Sequence, residues 1–257
     1  MVADVALGAL IAFAIATLAT PVGVSGAVFL IPVQVSVLHT PSPAVTPTNL
    51  LYNLVAIPGS LARFHAEGRL RGRLTRLLVL GTMPGMVAGA VIRVELLAGS
   101  EAFLVVIAAV LIPLGIWLAA RPAPEPGRRP AVTERQIVAL AVIVGTVGGI
   151  YGIGGGSILG PILVGLGFSV LEVAPAALAA TFLTSLAGVG AYAALSLGFS
   201  GDVAPDWVLG IGLGVGGLVG GYLGASLQSR LPETLLRRGL GLLALGLGVR
   251  YALLALT

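Results

Sequence analysis

The sequence predicts an all-α polytopic membrane protein made of two inverted-topology repeats with broken or re-entrant helices at the bilayer midplane. Three observations carry this. Of 257 residues, 57% are hydrophobic and only 9% charged, with a mean hydropathy of +1.08, whereas a soluble domain carries about a quarter charged residues. Apolar runs long enough to cross a hydrocarbon core recur between short polar loops. The two halves also carry the same glycine and proline breaks in one frame.

The apolar segments run roughly over 4–37, 43–62, 74–94, 102–120, 136–167, 173–199, 206–229 and 234–256. The first and fifth are too long for a single span. Residues 5–19 resemble the core of a signal peptide, but Asp4 precedes them, no basic residue does, and the apolar stretch continues well beyond, so they are expected to be a mature membrane segment. Between the fourth and fifth segments, Arg121-Pro-Ala-Pro-Glu-Pro-Gly-Arg-Arg-Pro130 cannot stay helical and reads as a linker. The expected division is a first membrane repeat over 1–120, a cytoplasmic linker over 121–135 and a second membrane repeat over 136–257.

Comparison of the halves pairs Gly23, Gly26 and Pro32 with Gly152, Gly155 and Pro161. After a short insertion, Pro43 pairs with Pro175, Asn49 with Thr181, Asn53 with Ser185, and Gly85 and Gly89 with Gly217 and Gly221. Internal repeats of this kind decide a fold more firmly than local propensity. Arginine-rich loops stay cytoplasmic. Arg63, Arg69, Arg71, Arg73 and Arg76 follow the second segment, while Asp202 and Asp206 follow its counterpart, the sixth. The loop after the third segment holds Arg93, Glu95 and Glu101, and its counterpart holds Arg230, Arg237 and Arg238. Equivalent loops thus face opposite sides, which makes the repeats inverted unless these charges mislead and the repeat is parallel. The placements also demand an odd number of crossings between the linker and residue 200. One element must therefore be re-entrant or broken, and the glycine runs at 23–27 and 152–156 are the places for it.

Helices restarting near Ser25 to Val28 and near Gly155 to Ser157 would aim free N–H groups and a partial positive charge at the midplane, a ready site for an anion. Close helix packing is the plainer use of such glycines. Asn49 and Asn53, the only asparagines, are four apart and share one helix face. Thr181 and Ser185 occupy the same face in the second half, with Thr48 and Thr184 beside them. Polar groups inside a span need partners, so these residues either line a site with neutral donors or hydrogen-bond helix to helix. The expected substrate contacts are Gly23, Ser25, Gly26, Asn49, Asn53, Gly154, Gly155, Gly156, Ser157, Thr181 and Ser185.

Other functions lack the residues they need. The chain has no cysteine and no lysine, and no midspan His, Asp or Glu that would serve an intramembrane enzyme, a proton relay or a metal site. His39 and His65 are expected in loops, and Trp117 and Trp207 at the membrane interface. No catalytic residue, cofactor, metal or nucleic acid is expected, and membrane lipid is the expected surrounding. An inside-negative potential favours anion exit by about 2.3 kcal/mol per charge per 100 mV, so export needs no coupling ion.

The breaks Gly23-Val-Ser-Gly-Ala27 and Gly152-Ile-Gly-Gly-Gly156, each followed by a proline, and the run Pro47-Thr-Asn-Leu-Leu-Tyr-Asn53 resemble the TauE/SafE family of sulfite and organosulfonate exporters over essentially the whole chain. The first break departs from the family's glycine triplet at Ser25 and Ala27. The resemblance implies a permease that exports a small sulfur oxyanion or sulfonate, in the multi-pass cytoplasmic (inner) membrane of a prokaryote. Import, a carboxylate cargo, or a structural membrane subunit without transport of its own are the alternatives the residues leave open.

Overall fold

A computed structural model describes residues 2–38, 40, 42–70, 72–95, 102–120, 132–196 and 205–254. Most of the linker, together with His39, Arg71, Glu101 and Asp202, lies outside the described residues. All the regular structure described is helical: α1 (Val2–Ala19), a 3₁₀ turn (Thr20–Val22), α2 (Ala27–Ser36), α3 (Ser42–Ala66), α4 (Arg73–Glu95), α5 (Ala102–Ala120), α6 (Glu134–Tyr151), α7 (Gly156–Gly165), α8 (Val170–Ser196), α9 (Trp207–Gln228) and α10 (Glu233–Leu254). Among the described residues, Asp4–Val22, Arg73–Ile92, Val170–Ala194 and Trp207–Gln228 are long and apolar enough to cross a membrane.

Both long segments break where the glycines predict. The first stops at Gly23 (φ 79°) and restarts from Gly26, and the other stops at Gly152 (φ 67°) and restarts from Gly155. Left-handed backbone ends a helix without strain only at glycine. Each restart yields a 10-residue helix, about 15 Å or half a hydrocarbon core.

Glycines set the packing by letting backbones touch. On α9, Gly212, Gly216, Gly220 and Gly224 lie in turn against Val5, Ala9, Phe13 and Thr17 of α1, so the two helices run parallel. The neighbouring face of α9 places Gly210, Gly214 and Gly217 against Leu51, Val55 and Ala56 of α3, again parallel. In the same way Gly81, Gly85 and Gly89 of α4 meet Ala141, Gly145 and Gly149 of α6. By contrast, Gly241 and Gly248 of α10 meet Ala119 and Ile112 of α5, which makes that pair antiparallel. One detail of the sequence frame is corrected: Gly85 and Gly89 face α6, whereas Gly217 and Gly221 face α3. The α9 glycines doing on α1 what Gly85 and Gly89 do on α6 are Gly216 and Gly220.

Polar contacts identify the ends of the bundle. Arg73 pairs with Glu134 at the start of α6, and Arg69 donates to the carbonyl of Leu171 at 2.9 Å. Glu233 accepts from the Val170 N–H at 2.7 Å and the Ser169 hydroxyl at 3.2 Å. The α3–α4, α7–α8 and α9–α10 turns and the start of α6 therefore share one end, and α6–α7 leaves that end and returns to it. At the opposite end, the Asp206 N–H donates to Thr48 Oγ1 at 2.9 Å. It follows that α1, α3, α5 and α9 run one way and α4, α6, α8 and α10 the other. Pairing α1 with α6, α3 with α8, α4 with α9 and α5 with α10 matches helices of opposite sense. Exchanging the members of each pair turns the α1–α9 contact into α6–α4 and the α3–α9 contact into α8–α4, both of which exist.

Several expectations about loops are corrected. Arg63 and His65 lie in the last turn of α3, Arg73, Arg76, Arg93 and Glu95 lie in α4, and Arg237 and Arg238 lie in α10, where Arg237 is 2% exposed. The Arg237 guanidinium sits 4.8 Å over the Trp117 ring and donates to the Val164 carbonyl at 3.4 Å. Cation–π attraction and the negative end of α7 keep an arginine where hydropathy would not place one.

Candidate functional site

The two breaks meet. The Ser25 N–H donates to Ser157 Oγ at 3.0 Å, linking the first break to the opening turn of α7. Each break also seats on the other half's helix. Gly23 lies against Ala174 of α8 and Gly152 against Thr46 of α3, approaches so close that a Cβ would collide with backbone. Gly154 (φ 66°) and Gly156 pack on Thr181, whose hydroxyl lies beside the first turn of α7. The first N–H groups of a helix lack partners within it, so the α2 and α7 N-termini both present donors here.

The polar side chains around this junction are fully buried, yet only partly paired. The Ser25 hydroxyl accepts from the Ala27 N–H at 3.2 Å and donates its own proton to Asn53 Oδ1. Gln34 Nε2 donates to Asn49 Oδ1 at 2.5 Å. Both asparagine carbonyls are thereby occupied. Their amide nitrogens, together with Thr181 Oγ1 and Ser185 Oγ, have no partner among the described residues, and all four residues are 0% exposed. Buried polar groups are normally paired, because leaving one unpaired costs about 1–3 kcal/mol. The four unpaired groups fall at the two pairs of positions matched between the halves, Asn49 with Thr181 and Asn53 with Ser185. Thr184 and Thr48 do not share this state. The Thr184 hydroxyl donates back to the carbonyls of Ala180 and Thr181 in its own helix, and Thr48 takes the Asp206 N–H.

Of the sequence-predicted residues, Ser25, Asn53, Ser157, Gly154, Gly156 and Thr181 are joined by these contacts. Gly26 and Gly155 serve as the residues from which α2 and α7 restart. Gly23 packs on α8. Beside the first break is a cavity of ≈ 10 Å³ bordered by Ser25, Gly26, Thr20, Tyr52 and Ser60, about the space one water occupies. Among the described residues no group of three or more His, Asp or Glu comes together.

Gln34 is the site residue that sequence reasoning missed. It lies in the last turn of α2, where its frame counterpart is Leu163, so a comparison of the halves passes over it. An amide inside an apolar run was the available signal. Gln228 is buried as well, with Nε2 donating to the Pro21 carbonyl at 2.6 Å, and it ties α9 to the 3₁₀ turn.

An all-helical polytopic bundle whose broken helices meet at a buried, neutral, donor-rich centre falls in the class of membrane transport proteins. Residues 8–251 match the family model described as sulfite exporter TauE/SafE. The chain belongs to that family. No curated protein and no solved structure matches it.

Proposed function

We propose that the chain exports a small sulfur-containing anion, sulfite or an organosulfonate, across the cytoplasmic membrane of a prokaryote by alternating access. The observation that carries this reading is the set of unpaired, fully buried groups at Asn49, Asn53, Thr181 and Ser185. Two of them are amide donors fixed by their occupied carbonyls, and two are hydroxyls free to turn their protons toward an oxyanion. The α2 and α7 N-termini add partial positive charge without a formal cation. Neutral donors suit a carrier, which must release its anion as well as bind it. In this reading 1–120 and 136–257 are inverted-topology repeats that rock about the site, joined by a cytoplasmic linker at 121–135. The opposite sense of paired helices supports it. So does the gathering of Arg63, Arg69, Arg73 and Arg230 at one end of the bundle, which the bias of arginine toward the cytoplasm places inside.

Competition binding to the purified protein tests the cargo. Sulfite is expected to displace a labelled sulfonate, with acetate at least tenfold weaker. Equal displacement by acetate would make the chain a general anion carrier, and failure of sulfite to compete would remove sulfur oxyanions as its substrates.

A further inference from the structure

Resting on the anion-site reading above, we infer that Gln34 makes the site selective for anions that keep a hydrogen-bond donor, such as a hydroxy- or ammonio-sulfonate or hydrogensulfite, over donor-free anions of equal charge. Gln34 and Asn49 are both 0% exposed and are joined by one hydrogen bond, Nε2 to Oδ1 at 2.5 Å. That bond uses one donor and one acceptor. The two groups left with no partner at all among the described residues are Asn49 Nδ2, a donor, and Gln34 Oε1, an acceptor.

The count does not depend on how the amides are oriented. Turning both over would make Asn49 the donor in the bond and would leave Gln34 Nε2 and Asn49 Oδ1, again one donor and one acceptor. Elsewhere the site differs. At Asn53 the Ser25 hydroxyl occupies the carbonyl and only the amide donor is left. Thr181 and Ser185 offer hydroxyls that can donate. Among these site residues an amide acceptor stands open only at the Gln34–Asn49 pair; Gln228 Oε1, also without a partner among the described residues, belongs to the tie between α9 and the 3₁₀ turn.

A fully deprotonated oxygen satisfies the donor and leaves the acceptor bare. An O–H or N–H on the same ligand satisfies both. Sites built to pair a substrate hydroxyl reject the analogue lacking it, because the buried partner is then stranded. The second half has Leu163 at the position of Gln34, so the preference is one-sided and fixes which end of an asymmetric ligand lies against α2.

The test uses the purified full chain and two sulfonates of equal charge, hydroxyethanesulfonate and ethanesulfonate, with binding measured by calorimetry. The hydroxy compound is expected to bind about tenfold or more tightly, and Gln34→Met is expected to erase that ratio. Equal affinities in the wild-type protein overturn the inference and leave the anion site standing. So does a ratio that survives Gln34→Met. Binding of neither sulfonate overturns the anion site itself and the inference with it. The wild-type comparison decides even if the variant fails to fold.

Discussion

Replacing Thr181 with Val and Ser185 with Ala in one protein is expected to lower anion affinity about a hundredfold or more while leaving the melting temperature unchanged or raised. Two opposite effects of the same hydroxyls give this result. Hydrogen bonds to a charged ligand contribute about 1.5–3 kcal/mol each, and about 1.4 kcal/mol is a factor of ten in affinity. Without ligand the same hydroxyls are buried and unpaired among the described residues, so their removal relieves a desolvation cost instead of breaking a bond. A purely structural role predicts the reverse, a lower melting temperature with binding intact. Thermal unfolding with and without sulfite, read on the same variant, separates the two.

Gly156→Val is expected to abolish anion binding and to lower stability by about 3 kcal/mol or more. A Cβ at Gly156 would fall within 3.0 Å of the Ala177 carbonyl, which is backbone and cannot rotate away. Overpacking a tight core costs about 1–3 kcal/mol and sometimes more, and here it also pushes the α7 N-terminus off Thr181. Gly160, on the same short helix, is the control. The nearest atom to a Cβ there is the Gly23 carbonyl oxygen at 3.8 Å, and alanine favours a helix interior over glycine by about 1 kcal/mol. Gly160→Ala should therefore fold at least as well as the parent and bind normally. Loss of binding in both variants would mean that α7 tolerates no change and would detach the effect from the Thr181 contact.

Much of this arrangement is legible in the sequence because its causes are local or repeated. Gly23 and Gly152 stand where the chain needs left-handed backbone, and the two restarts fall within the predicted windows. Asn49, Asn53, Thr181 and Ser185 stand out because polar groups are scarce in the spans and fall in register. What the sequence hides is non-local. Arg237 sits among charges that read as a loop, and only the Trp117 ring and the Val164 carbonyl, contributed by other helices, explain its burial. Gln34 has no repeat partner to expose it. The Thr133–Gln136 capping box starts α6 two residues before the predicted segment, because a hydropathy boundary marks where apolar residues begin and not where backbone N–H groups find a cap. The parallel pairing of α1 with α9 and α4 with α6 follows from glycine faces whose partners lie far away along the chain.

Sulfite flux from proteoliposomes of the purified chain, in sodium-free buffer with an imposed membrane potential, tests the central claim most directly. The account predicts saturable sulfite movement that speeds up when the potential drives anions outward and falls in the Thr181→Val, Ser185→Ala protein. Flux that is absent without sodium, or that persists unchanged in that variant, would contradict an exporter working through this site.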